Sequence, residues 1–250
     1  MKIVATIEAR MDSSRLPGKV LMDIGGIKSL NCQIQRMQRS KHIDEIIIAT
    51  TKNQSDDILV DFANDIGVSV YRGSQNDLMS RILGAAKAIK GDLQVQTTGD
   101  CPLIDPLIID EVIEIFLNSN GKFDFVSNEI LRSYPIGLDC RVFPVSVLAK
   151  ADKLCFDPIH RSHGSTYIYI GEGYKHFKCK NLMAPDYLNR PNLRWTLDEP
   201  ADLEFIKVIV KNFKEKITKL SAKDLITWLD KYPEIMEINS NIKQKHILEG

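Results

Sequence analysis

Nowhere in its 250 residues does the chain carry an apolar run approaching the roughly 20 residues that a membrane span requires. Met1-Lys2-Ile3-Val4 passes directly into a strand pattern without signal-peptide architecture, so a cytoplasmic protein with no membrane partner is expected. The five cysteines (Cys32, Cys101, Cys140, Cys155, Cys179) are odd in number, widely spaced and free of any C-x-x-C pair. That spacing argues against a disulfide framework and a zinc site and predicts reduced thiols. Net charge is zero, 33 Lys and Arg against 33 Asp and Glu, which argues against a nucleic-acid partner held by phosphate contacts. A G-x-x-x-x-G-K-[ST] phosphate loop is missing, since Gly18-Lys19 and Gly121-Lys122 are followed by Val20 and Phe123. A G-x-G-x-x-G fingerprint is missing too, and both gaps weaken ordinary ATPase and dehydrogenase readings. Internal repeats and low-complexity tracts are likewise lacking.

Charge is nevertheless uneven. Residues 1–41 hold eight Lys and Arg against three Asp and Glu, a local excess that suits a small anionic ligand better than a long polyanion. Most of it gathers around Ala9-Arg10-Met11-Asp12-Ser13-Ser14-Arg15-Leu16-Pro17-Gly18-Lys19, directly after the β-branched run Ile3–Ile7. Backbone N–H groups beside small Ser residues approach anionic oxygens closely. Arg10 and Arg15 offer forked donors, and Lys19 a mobile point charge, so the loop suits polyphosphate.

Hydrophobic periodicity places strands at 3–7, 46–51, 68–71 and 93–98. It places helices near 29–37, 55–67, 77–90 and 106–117 between and after them. This βαβαβαβα order predicts an α/β fold: a mostly parallel twisted sheet, helices on both faces, right-handed crossovers, and a ligand site beyond the carboxyl ends of the strands. From Asp124 the pattern changes. Strands are predicted at 124–126, 138–143, 176–179 and 193–198, a helix at 146–152, and a helical segment from His160 through Tyr169. With no Pro/Gly-rich linker to isolate it, 124–192 reads as a lid or subregion of one domain spanning 1–250. Helices from Pro200 and Ser221 follow, and 233–250 reads as a loose polar arm.

Asp100 and Asp198 each close a predicted strand. If those strands are neighbours, the two carboxylates converge and suit a hard, partly hydrated cation such as Mg²⁺ shared with substrate phosphates. His160 and His163 share an i, i+3 spacing but lack a nearby third ligand, which favours structural or substrate contacts over metal. Cys101 beside Asp100 is read as packing, because the adjacent carboxylate raises a thiol pKa.

The motifs together resemble the SpsF-like cytidylyltransferases, relatives of the CMP-3-deoxy-manno-octulosonate and CMP-acylneuraminate synthetases. The resemblance is carried by 9–21, Ala49-Thr50-Thr51, Arg72-Gly73-Ser74 with Asp77, Thr98–Asp105, Tyr134–Asp139 and Arg194–Leu203. It implies a nucleotide-diphospho-sugar transferase (GT-A-like, Rossmann-like) fold with an inserted lid or dimerisation region, and a homodimer. It further implies that CTP lies on Ala9, Arg10, Ser14, Arg15, Lys19 and Thr98, with Arg72, Gly73, Ser74 and Asp77 framing cytosine and Asp100 and Asp198 holding Mg²⁺. Lys19, Arg10 and Asp100 are the implied catalytic set. The implied reaction moves CMP from CTP to a small acceptor, a sugar acid or another hydroxyl or phosphate compound, with loss of pyrophosphate, for surface polysaccharide synthesis.

Glu8 stands where relatives often have Gln, and Gln96-Thr97-Thr98 where they often have R-x-T. Asp139, Arg161 and His163 persist in motifs that otherwise differ. Glu8, Gln96, Asp139, Arg161 and His163 are therefore the acceptor candidates. Two alternatives stand beside this reading: a non-catalytic nucleotide-binding partner in an assembly complex, and a glycosyltransferase using a nucleotide sugar.

Overall fold

The computed structural model describes residues 1–244. Its strands are β1 (Ile3–Glu8), β2 (Glu45–Thr51), β3 (Ser69–Gly73), β4 (Leu93–Thr98), β5 (Phe125–Ser127), β6 (Arg141–Pro144) and β7 (Cys179–Asn181). They form one sheet of order β3-β2-β1-β4-β6-β5-β7, in which β6 alone runs antiparallel to its neighbours. Helices α1 (Ser29–Met37), α2 (Asp57–Asp65), α3 (Leu78–Ala88), α4 (Pro106–Asn118) and α5 (Val145–Leu154) accompany its two faces, as the alternating pattern predicts. Strand β1 shows why there are two faces. Ile3, Ala5 and Ile7 pack with α1, α2 and α4, whereas Val4 packs with α3 and α5. Thr6 and Glu8 share the parity of Val4 and so belong to the α3 side.

Chain order reverses between β1 and β4, making the gap beyond their carboxyl ends the topological switch point of the sheet. The loops after both strands, 9–19 and 99–105, border that gap. The region after Asp124 continues the same sheet through β6, β5 and β7.

Several elements differ from the sequence expectation. Residues 193–198 form no strand of the sheet. They make one isolated bridge outside the sheet, Arg194 to Ile136, and are otherwise an extended segment packed under α8 (Pro200–Phe213) and α9 (Ala222–Leu229) by buried Trp195 and Leu197. The helix expected across 160–169 is split into α6 (Pro158–Ser162) and α7 (Thr166–Tyr169). Between them Gly164 sits at φ +67°, where a Cβ would meet Gln96 Nε2 at 2.5 Å. The strand expected at 176–179 begins only at Cys179, after a 3-10 turn over Gly171–His176. The arm expected to be loose instead folds back as α10 (Pro233–Met236) and a further turn. Asn239 is buried there, donating to the Arg194 carbonyl (3.0 Å) and Asp202 Oδ1 (2.9 Å). The rest of that arm, 245–250, lies outside the described residues.

Candidate active site

The loop leaving β1 folds on itself, the N–H groups of Ser13 and Gly18 both donating to the Met11 carbonyl at 3.0 and 2.9 Å. Met11 N–H in turn donates to Asp56 Oδ1 at 2.7 Å, anchoring the loop beside α2. Lys19 then opens a 3-10 turn with its Nζ 2.7 Å from Asp100 Oδ2 and 2.7 Å from Asp198 Oδ1.

Asp100 lies two residues beyond β4, and Asp198 is brought to it by backbone contacts rather than by a shared sheet. Leu197 N–H donates to the Asp100 carbonyl (2.8 Å), and Thr196 Oγ1 donates to the same oxygen (3.1 Å). Gly137 permits the close approach of the neighbouring turn. At φ +102° it lies where a Cβ would stand 2.6 Å from the Trp195 carbonyl carbon. Asp202 caps the start of α8 by accepting from the N–H groups of Asp198 and Glu199 at 3.1 and 3.0 Å. Arg15 Nη2 lies 2.9 Å from Asp198, and Arg194, fully buried, pairs with Asp202 at 3.1 Å and Asp198 at 3.5 Å.

Burial pushes the Asp100 carboxyl upward, yet the Lys19 ammonium more than offsets it and holds the group at about 2. Burial pushes Lys19 down, and the two carboxylates together lift it above its ordinary value. Two carboxylate oxygens thus converge on a single point cation. Two carboxylate oxygens meeting one compact cation form a donor set of the kind a hard metal ion takes. No group of three or more His, Cys, Asp or Glu gathers as a metal site among the described residues. Two carboxylates suffice for Mg²⁺, which keeps water and takes its other oxygens from phosphates.

The pair opens on a cavity of about 850 Å³. Of the residues singled out in the sequence, Glu8, Ala9, Arg10, Ser14, Arg15, Lys19, Gln96, Thr98, Asp100, Asp139, His163 and Asp198 line it. Arg72, Gly73, Ser74, Asp77 and Arg161 do not. Arg72 pairs with Asp57 at 2.6 Å and donates to the carbonyls of Thr51 and Asn53. Asp77 caps α3 by accepting from Ser80 N–H, and Arg161 Nε is 2.9 Å from it while the guanidinium also holds Asp152. These residues brace the 72–77 loop from behind, and Gln75 and Asn76 at its tip reach the cavity instead. His163 Nδ1 lies 2.7 Å from the Ile159 carbonyl, and His160 Nδ1 lies 3.2 Å from Thr166 Oγ1. Cys101 is buried and its thiol is pushed far up by burial and by Asp100, consistent with packing.

Sequence reasoning passed over Arg81, Glu129, Arg132 and Arg141, all of which line the same cavity. Glu129 is buried and paired with Arg141, and the Tyr169 hydroxyl donates to it. Although burial raises the Glu129 carboxyl, the Arg141 charge brings it below its usual value. Arg132 meets Asp139 through two bonds of 2.8 and 3.1 Å, while burial keeps Asp139 above its usual value. The available signals, an arginine opening a short strand and single charges in a helix and a loop, are too common to mark a site.

A cationic loop facing paired carboxylates across the switch point of an open α/β sheet defines a nucleotidyltransferase. The chain belongs to the cytidylyltransferase family, whose profile matches residues 4–135. A solved cytidylyltransferase from Leptospira borgpetersenii is 35% identical, covering 98% of this chain and 100% of that one with a TM-score of 0.89. An uncharacterized protein of Methanocaldococcus jannaschii is 37% identical over 100% of this chain and 99% of its own length. The spore coat polysaccharide biosynthesis protein SpsF of Bacillus subtilis is 29% identical over 93% of this chain and 95% of its own. The family profile includes the Ala9–Lys19 loop and Asp100. It ends before Asp139 and Asp198.

Proposed function

We propose that this CTP-dependent enzyme transfers CMP to a small sugar-type acceptor for surface polysaccharide synthesis. The acceptor oxygen attacks the α-phosphorus, the α–β bridging P–O bond breaks, and pyrophosphate leaves. The observation that carries this reading is the convergence of Lys19, Asp100 and Asp198 on one point in the wall of the cavity. The polysaccharide context rests on SpsF, to which the chain is similar along nearly its whole length.

Arg10, Arg15 and the Ser13–Ser14 turn meet the triphosphate, and Gln75, Asn76 and Thr98 border the nucleoside end. When CTP arrives, Lys19 leaves the carboxylates for phosphate oxygens and steadies charge gathering on the departing pyrophosphate. Asp100 and Asp198 would hold Mg²⁺, which would supply Lewis-acid polarisation of the phosphate oxygens. Arg194 and Asp202 keep Asp198 from moving, so most of the catalytic power lies in positioning. Glu8, Gln96, Asp139 and His163 belong to the acceptor half.

The 124–192 region is also the proposed homodimer surface, a reading supported by the exposed side chains of Leu131, Phe156, Ile159, Tyr174, Met183 and Tyr187. Sedimentation that finds only monomers at micromolar concentration would remove that part. The activity itself is tested by pyrophosphate release from CTP and Mg²⁺ over a panel of sugar acceptors, and Asp100→Asn should abolish release. Absence of both CTP binding by calorimetry and turnover with every acceptor would sink the reading.

A further inference from the structure

On the α3 side of the sheet, β1, β4 and β6 lie side by side. Their registers, Thr6 to Gln96, Glu8 to Thr98 and Gln96 to Arg141, set Glu8, Gln96 and Arg141 close together on one face. Gln96 is already engaged, since its Oε1 accepts from Ser165 Oγ at 2.6 Å and its Nε2 donates to Glu8 Oε1 at 3.4 Å. Arg141 is matched by Glu129 and Arg132 by Asp139. Each of these two arginines therefore has its own carboxylate.

Of the residues with a buried side-chain atom lacking a hydrogen-bond partner among the described residues, Glu8 (Oε2) on β1 and Arg81 (Nε) on α3 stand out. Both residues line the cavity. Burial pushes the Glu8 carboxyl upward, against the pull of Arg141 and Arg81. One unmet atom requires a donor and the other an acceptor, and leaving either unmet is costly. A hydroxyl group offers both. A carboxylate or phosphate would satisfy Arg81 but face Glu8 with like charge, and an ammonium would do the reverse.

We propose that the acceptor half recognises a neutral polyhydroxylated compound, with Glu8 accepting from one of its hydroxyls and Arg81 donating to a hydroxyl oxygen. Glu8 correspondingly turns away acceptors that carry an acid group at that position. The inference rests on the CMP-transfer reading and narrows its acceptor class.

The test uses the full chain and its Glu8→Gln variant, with matched triplets such as galactose, galacturonate and 6-amino-6-deoxygalactose. Neutral pentoses, heptoses and alditols and 3-deoxy-manno-octulosonate complete the panel. Pyrophosphate release with CTP and Mg²⁺ gives relative kcat/KM. Saturation-transfer NMR on protein loaded with α,β-methylene CTP gives binding without turnover. The neutral member of a triplet should exceed its acid partner by at least about tenfold, and Glu8→Gln should shrink that ratio by about tenfold as the like charge disappears. A wild-type preference for the acid or the amine, or an unchanged ratio in Glu8→Gln, overturns the proposal. So does failure of every neutral compound to bind the nucleotide-loaded protein. Calorimetry with CTP separates the two levels: no CTP binding removes the transferase reading itself, whereas CTP binding with reversed acceptor preference removes only this inference.

Discussion

Replacing Lys19 by Met removes the ammonium while keeping an unbranched side chain of similar length, and the consequences can be worked out group by group. Asp198 retains Arg15 at 2.9 Å and Arg194 at 3.5 Å, so it stays compensated. Asp100 has no other ion-pair partner among the described residues. Its depression from the ordinary 3.8 to about 2 corresponds to about 2 kcal/mol of native-state stabilisation at neutral pH. Because burial alone would raise Asp100, removing Lys19 costs at least that much, and for a chain of this size the loss lowers Tm by at least about 4–8 °C. Because the folded value lies below the unfolded one, the wild-type advantage is fully present above about pH 4 and fades as pH falls toward 2.

Metal then supplies the opposite arm. In the variant two carboxylates face each other without the ammonium between them, so Mg²⁺ at about 100 times its Kd should return about 2.7 kcal/mol and restore the lost Tm. In the wild type Lys19 competes for the same point, so Mg²⁺ alone should shift Tm little until CTP draws the lysine away. Differential scanning fluorimetry in chelator, Mg²⁺, and Mg²⁺ with CTP measures all three states. Equal responses of both proteins to Mg²⁺ alone, or a variant as stable as the wild type in chelator, would refute the idea that Lys19 and metal share one position.

Three further expectations follow from the cavity walls. Glu8 has a raised folded value, so its contribution to stability is present below about pH 4.5 and is lost as pH rises through that folded value. Thermal melts of Glu8→Gln should therefore match the wild type in acid and exceed it at pH 8, and a variant less stable at pH 8 would contradict the burial argument. Arg141→Met leaves Glu129 buried with its cation gone and should cost about 3–5 kcal/mol in urea unfolding; a loss near zero would show that Glu129 is not charged there. Gly137→Ala places a Cβ against the Trp195 backbone at positive φ, and should cost about 1–3 kcal/mol while also lowering kcat through displacement of Asp198. Unchanged kcat would show that the 136–137 turn does not hold the carboxylate.

The sequence by itself determined the order of the first eight elements, because buried β-branched runs and 3.6-residue periodicity are local properties that neighbouring chain does not override. It also determined the composition of the Ala9–Lys19 loop, since three cations and two serines in eleven residues carry their chemistry wherever the loop is placed. Asp100 was legible for the same reason: a residue two positions past a parallel strand must lie at the ligand edge. Tertiary structure decided the rest. Asp198 meets Asp100 through Leu197 and Thr196 bonding to a carbonyl 96 or 97 residues away, not through paired strands. Arg161 and Asp77 both carry the right charge for a ligand, yet each is consumed by the other, and only three-dimensional pairing reveals that. The converse holds for Arg81, Glu129, Arg132 and Arg141, whose spacing in the chain is unremarkable and whose value arises where β1, β4, β6 and α3 meet. Local rules fix what a segment is; which charges remain unpaired, and so what the cavity can bind, depends on partners brought together from distant parts of the chain.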